Sequence, residues 1–167
     1  PGGSTTRALA AHFRLTGVDI SKRCITLARQ AMPEAQFLHR DMTQLDFPPE
    51  TWDAIVAFYS ILHVPRNEHA ALFVRFATWL RPGGLLIASL GAKDSDAGYE
   101  ADWLGTPMYW SGFDADVERQ LVQASGFSID RAVIETIDED GQPTPFLWVV
   151  AHRAEAGQQT GTPAPVV

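Results

Sequence analysis

Short apolar runs alternate along the chain with longer stretches whose apolar residues recur at helical spacing. Residues 14–20, 35–39, 53–59 and 85–90 are brief, rich in aliphatic and aromatic side chains, and each runs out into polar or glycine-containing sequence. That is the pattern of parallel strands buried on both faces. Between them, residues 21–31 carry Ile25, Ala28 and Met32 on one helical face, and residues 68–80 carry Leu72, Phe73, Phe76 and Leu80 on another. Strand and helix in alternation predict an α/β sheet wrapped by helices. The punctuation agrees: Ser21 can cap the first of these helices, Pro33 closes it, Pro65 opens the next helical region, and Pro82-Gly83-Gly84 stops that helix before a strand.

The last third changes character. Residues 114–125 predict a helix with Val117, Leu121 and Val122 inward, ended by Gly126, and two strands follow around 129–137 and 146–152. Residues 138–142 between them form a hairpin turn, because Asp-Gly tolerates positive φ. The insert at 91–113 holds Tyr99, Trp103, Tyr109, Trp110 and Phe113 among glycines. It reads either as a loop that closes over a small organic ligand or as a satellite cluster covering a sheet edge. One domain over residues 1–153 is expected, followed by a flexible tail at 154–167 whose small, polar, proline-containing sequence has too little apolar surface to offset ordering. The chain shows no internal repeat.

Composition narrows the function classes. A formal charge of −7 gives no footprint for phosphate backbones, so nucleic acid is not expected as a partner. Cys24 is the only cysteine, which leaves no intrachain disulfide and no cysteine-based zinc cluster, and no metal site is expected. No apolar run is long enough to cross a bilayer, and the start lacks the basic and apolar segments of a signal peptide. A cytoplasmic protein is the expectation.

In open parallel sheets, ligands sit beyond the carboxyl ends of the strands, beside helix N-termini. Gly2 and Gly3 precede a short helical stretch and can let backbone approach a ligand, or be a plain terminal segment. Asp19 closes the first run, where a carboxylate can accept both hydroxyl protons of a ribose or merely help Ser21 cap a helix. Asp41-Met42 ends the second run: an acceptor for an amine and a polarizable face for a flat ring, or only a turn. At the end of the third run stand Phe58, Tyr59, Ser60 and His63. Ser60 and His63 can serve as hydrogen-bonding or acid/base groups, although a lone histidine on an apolar background is more often structural.

Taken together, Gly2-Gly3 before a helix, Gly17-Val18-Asp19-Ile20-Ser21, Arg40-Asp41-Met42, Trp52-Asp53-Ala54-Ile55-Val56 and Leu80-Arg81-Pro82-Gly83-Gly84-Leu85-Leu86 resemble, in order and spacing, the class I S-adenosylmethionine-dependent methyltransferases of small molecules. The resemblance runs from about residue 1 to 152. It implies a Rossmann-like methyltransferase sheet, mostly parallel with an antiparallel C-terminal hairpin, and S-adenosylmethionine as cofactor. It places Gly2 and Gly3 around the methionine part, Asp19 on the ribose, Ile20 against the adenine, Asp41 on its amino group and Met42 beside the ring. Phe58 and Tyr59 would line the cleft near the sulfonium. By the same resemblance Tyr109 and Trp110 are candidates to bind the methyl acceptor, a small organic molecule, and Tyr59 and His63 join them as candidate substrate contacts.

The departure from the family pattern is at the start. The chain begins inside what resembles the glycine-rich cofactor loop, so the first strand is expected to be missing, leaving unpaired edges on the strands that end at Asp19 and Tyr59. Residues upstream of Pro1, another segment, or a second copy pairing through that edge as a homo-oligomer would fill it. A non-catalytic scaffold of the same fold and a nicotinamide-dependent oxidoreductase are the competing functions.

Overall fold

The computed structural model describes residues 3–103, 105–139 and 141–155, so Gly2 and residues 156–167 of the expected tail lie outside it. The chain falls into two compact units that divide after Asp46. In the first, helix α1 (Ser4–Ala10) is followed by strand β1 (Thr16–Asp19), helix α2 (Lys22–Ala31) and strand β2 (Gln36–His39). Strands β1 and β2 pair in parallel from Thr16↔Gln36 to Asp19↔His39, so the two chains leave the sheet side by side at the same end. Ser21 caps α2 by accepting from the Cys24 amide. The helix turns Ile25 and Ala28 inward to join Met32 and Phe37 in one buried cluster, each large side chain contributing about 1.5–3 kcal/mol. The strand expected over 14–20 shortens to four residues.

The second unit holds strand β3 (Trp52–Ala57), helix α3 (Arg66–Trp79), strand β4 (Leu80–Gly91), a hairpin of β5 (Ser95–Trp103) and β6 (Thr106–Gly112), helix α4 (Ala115–Ala124), and strands β7 (Phe127–Glu139) and β8 (Gln142–Arg153). Four of these strands form one mixed sheet in the order β3-β4-β8-β7. The β3 and β4 strands are parallel, and β8 runs antiparallel to both β4 and β7. Residues that alternate along β4 and β8, among them Leu86, Ala88, Leu90, Leu147, Val149 and Ala151, are buried. The same core takes in Leu72, Phe73, Phe76 and Trp79 of α3 and Val122 of α4. Among the described residues β1 has β2 as its single partner strand and β3 has β4.

Two details depart from the sequence reading. The insert between β4 and α4 is an antiparallel hairpin, paired from Ser95↔Gly112 to Trp103↔Thr106 with two register shifts. Its aromatic residues do not recur at every second position, since Tyr109 and Trp110 are adjacent and Tyr99 and Trp103 four apart, so the strand pattern is not displayed. Pro82-Gly83-Gly84 lies inside β4, as an irregularity between the pairs Trp52↔Leu80 and Ala54↔Leu85. Gly83 takes φ +74°. A Cβ on Gly84 would stand 2.8 Å from the Arg81 carbonyl oxygen and 3.1 Å from that of Asp53, so the close passage of two backbones requires glycine.

Candidate functional site

In the first unit the side-by-side exit of β1 and β2 brings two carboxylates to one end of the sheet. Asp19 is the last residue of β1, and its Oδ1 accepts the Ser21 amide at 2.6 Å. Asp41 follows β2 by two residues, and its Oδ1 accepts from the amide and hydroxyl of Thr43 at 2.8 and 2.9 Å. Each carboxylate therefore fixes its own turn through one oxygen. The structural roles considered for Asp19 and Asp41 are real, and they orient the groups as well as occupying them. Ile20, between Asp19 and the cap of α2, is 72% exposed; a β-branched apolar side chain held out at a strand end is a surface for a flat ring. Its carbonyl accepts from, or faces, His39 Nε2 at 2.9 Å, tying the two exits together. Met42 opens the 3₁₀ turn Met42–Gln44 beside Asp41. Gly3 caps α1 in an extended conformation, its carbonyl accepting the Arg7 amide. Carboxylate acceptors and two apolar side chains at the same end of two paired parallel strands are of the chemistry that the adenosine half of a nucleoside cofactor needs.

In the second unit the end of β3 is the unusual place. Tyr59 adopts φ +49°, a left-handed conformation that costs a bulky residue free energy and persists where surroundings enforce it. They do so here: the Tyr59 amide donates at 2.8 Å to the hydroxyl of Ser89, which is fully buried. The ring stands edge-on to Phe146 and Trp148 at 5.0 and 5.7 Å, and Phe58 packs on Trp148 at 5.4 Å. Register explains the assembly, because Ser89 lies opposite Trp148 and Gly91 opposite Phe146, while Phe146 lies opposite Glu135. All of these share one face of the sheet. Burial, then the Glu139 and Glu135 carboxylates, push the Tyr59 phenol above its ordinary value.

After Tyr59 the chain makes the 3₁₀ turn Ile61–His63, and His63 Nδ1 lies 2.7 Å from the Tyr109 carbonyl oxygen. A carbonyl only accepts, so Nδ1 carries hydrogen, and the neutral ring presents a lone pair at Nε2. Arg66 holds the same hairpin to the start of α3 through Asp94 at 2.8 Å and Asp96 at 2.9 Å. Its amide donates to the Ser111 hydroxyl. Beside it lies a cavity of about 260 Å³ lined by Leu62, Trp110, Pro145 and Phe146, with Lys93 and Glu139 as the charged residues of its lining. Trp110 thus lines a cavity. Tyr109 is 61% exposed and stacks on Tyr99 at 4.7 Å, so it meets the site through its backbone alone.

Ser89, Phe146, Trp148, Lys93 and Glu139 were not among the residues singled out from sequence. Ser89 carried a signal, a polar residue within the apolar run 85–90. The others are brought to Tyr59 and the cavity by strand register, which one sequence does not display. Among the described residues no cluster of histidine, cysteine and carboxylate side chains suited to a metal is present, and no helix is long and apolar enough to cross a membrane.

Comparison with known proteins points one way. Residues 2–84 match the family model described as a methyltransferase domain. Trans-aconitate 2-methyltransferase from Escherichia fergusonii is 35% identical over 94 residues, 54% of this chain and 35% of that protein; the chain thus spans about a third of that relative. Among solved structures, an S-adenosylmethionine-dependent methyltransferase from Methanosarcina mazei superposes with a TM-score of 0.76 at 17% identity, covering 92% of this chain and 88% of that one. The 1,6-didemethyltoxoflavin-N1-methyltransferase of Burkholderia thailandensis, solved with 1,6-didemethyltoxoflavin and S-adenosylhomocysteine bound, gives a TM-score of 0.68 at 17% identity, covering 92% and 68%.

Proposed function

The chain belongs to the S-adenosylmethionine-dependent methyltransferases, and from that premise we propose that it transfers a methyl group to a small organic acceptor. The observation that carries the cofactor half is the pair Asp19 and Asp41 at adjacent parallel strand ends with Ile20 exposed beside them. In this reading Asp19 accepts from the ribose hydroxyls, Ile20 and Met42 flank the adenine, and Asp41 accepts from its amino group. Gly2, outside the described residues, and Gly3 belong to the loop around the methionine part. When bound, S-adenosylmethionine supplies a methyl group already activated by the positive sulfonium. What remains for the chain is positioning and the exclusion of water.

Phe58 and Tyr59 wall the reacting end in this proposal, with the left-handed turn at Tyr59 aiming the following 3₁₀ turn. His63 is placed to act: with Nδ1 committed to the Tyr109 carbonyl, Nε2 can take a proton from an acceptor that must lose one. Relatives named for trans-aconitate and 1,6-didemethyltoxoflavin support a small-molecule acceptor. The single cysteine fits a reducing compartment, the cytoplasm. Among the described residues β1 pairs with β2 alone and β3 with β4 alone, and self-association through those strands is part of the proposal, read by light scattering behind size exclusion across a concentration series.

Titration calorimetry with S-adenosylhomocysteine, with NAD as the contrast, tests the cofactor assignment. Saturable binding of the first and none of the second is expected; the reverse would make the chain an oxidoreductase, and binding of neither would leave a scaffold of the same fold.

A further inference from the structure

Two exposed side chains of opposite charge stand at the cavity under the hairpin. Lys93 follows the end of β4 and Glu139 ends β7; both line the cavity, and neither makes a hydrogen bond or ion pair with another described residue. Every other charge nearby is committed or negative: Arg66 is held by Asp94 and Asp96, and Glu135 lies on the Phe146 face of the sheet. The lining adds Trp110 from the hairpin and Pro145 and Phe146 from β8, with Ser95, Ser111 and Thr144 among them. Phe146 is 5% exposed and fixed against the Tyr59 ring. About 260 Å³ lies just below the usual range for ligand pockets, room for no more than a single substituted ring.

We propose that this cavity is the acceptor pocket and that it takes a flat aromatic molecule bearing one anionic group, met by Lys93, and one amine or ring N–H, met by Glu139. The proposal rests on the methyltransferase reading for its role but not for its ligand. Slots between rings favour a planar guest. A single ammonium against a free carboxylate and a surplus of neighbouring carboxylates repels a polyanion, because like charges near a low-dielectric wall disfavour the wrong partner more than they weaken the right one. A tricarboxylate is therefore excluded by the same charges that admit an amphoteric ring.

The test uses the full chain with Trp fluorescence and calorimetry as readouts, with and without saturating S-adenosylhomocysteine. The probes are the three aminobenzoate isomers, benzoate, aniline and trans-aconitate. The best aminobenzoate isomer is expected to bind at least tenfold more tightly than benzoate or aniline, and trans-aconitate more weakly than benzoate. Lys93→Ala should weaken benzoate and the aminobenzoate severalfold while leaving aniline unchanged, and Glu139→Gln should strengthen trans-aconitate binding severalfold while weakening the aminobenzoate. Trans-aconitate binding as tightly as the best aminobenzoate, or no aromatic probe saturating, would overturn the proposal. Binding of the probes without S-adenosylhomocysteine binding would instead overturn the methyltransferase reading and leave the pocket standing.

Discussion

Asp19 spends one carboxylate oxygen on the Ser21 amide, and a ribose would engage the same group. Its removal therefore acts on both the ligand and the turn that presents it. Asp19→Ala is expected to weaken S-adenosylhomocysteine binding by about 2 kcal/mol, roughly thirtyfold, the worth of charge-assisted hydrogen bonds lost. Calorimetry reads it, and an unchanged dissociation constant in a folded variant removes Asp19 from the ribose. Tyr59 offers a pH-dependent test. Its folded-state phenol titrates above the ordinary value of 10.0, so the stability it contributes is whole below that pH and is lost as pH rises through the raised value. Tyr59→Phe should therefore match the parent's urea midpoint change up to about pH 10 and lose less stability above it. Identical profiles for the two proteins would show that the phenol is not held in the burial and negative field described.

At the scale of elements, the tightest constraint is where β3 and the irregular start of β4 pass each other. Gly84→Ala places a methyl group against two carbonyl oxygens that cannot both withdraw, since Asp53 and Arg81 are themselves joined through an ion pair at 2.6 Å. A loss of about 1–3 kcal/mol is expected, as for other overpacked sites, seen as a lower urea midpoint with an unchanged slope. The helices and β3 were readable in advance because each carries its own signal: α2 and α3 by their apolar faces, β3 by its β-branched run, α4 by the Asp114 cap that accepts two amides. The cofactor-side candidates were readable for a related reason, since Asp19 and Asp41 stand where polar residues interrupt apolar runs. The β5–β6 hairpin was not, because its aromatic residues keep no strand period and glycines interrupt the run. Nor were Phe146, Trp148 and Glu139, whose meeting with Tyr59 depends on which residue of β8 faces which residue of β4 and β7.

For the second unit as a whole, four elements meet at His69 and Glu118. His69 of α3 and Glu118 of α4 are 1% and 0% exposed, and Nδ1 stands 2.8 Å from Oε1. The other ring nitrogen faces the Val64 carbonyl at 3.1 Å, directly after the turn that carries His63, and Oε1 also accepts the Phe113 amide at the exit of the hairpin. Glu118→Ala should cost about 3–5 kcal/mol, because it leaves the histidine buried without its partner, whereas replacing both residues by leucine should cost less. Chemical denaturation of the single and double variants checks this; a double variant as unstable as the sum of the singles would deny the coupling. The pair also has a spectroscopic signature. Both ring nitrogens face acceptors, so one hydrogen lies between imidazole and carboxylate with no path to water. It should give a far-downfield proton resonance that outlasts most amides in deuterium oxide, and its broadening would report the hairpin lifting before any backbone signal moved.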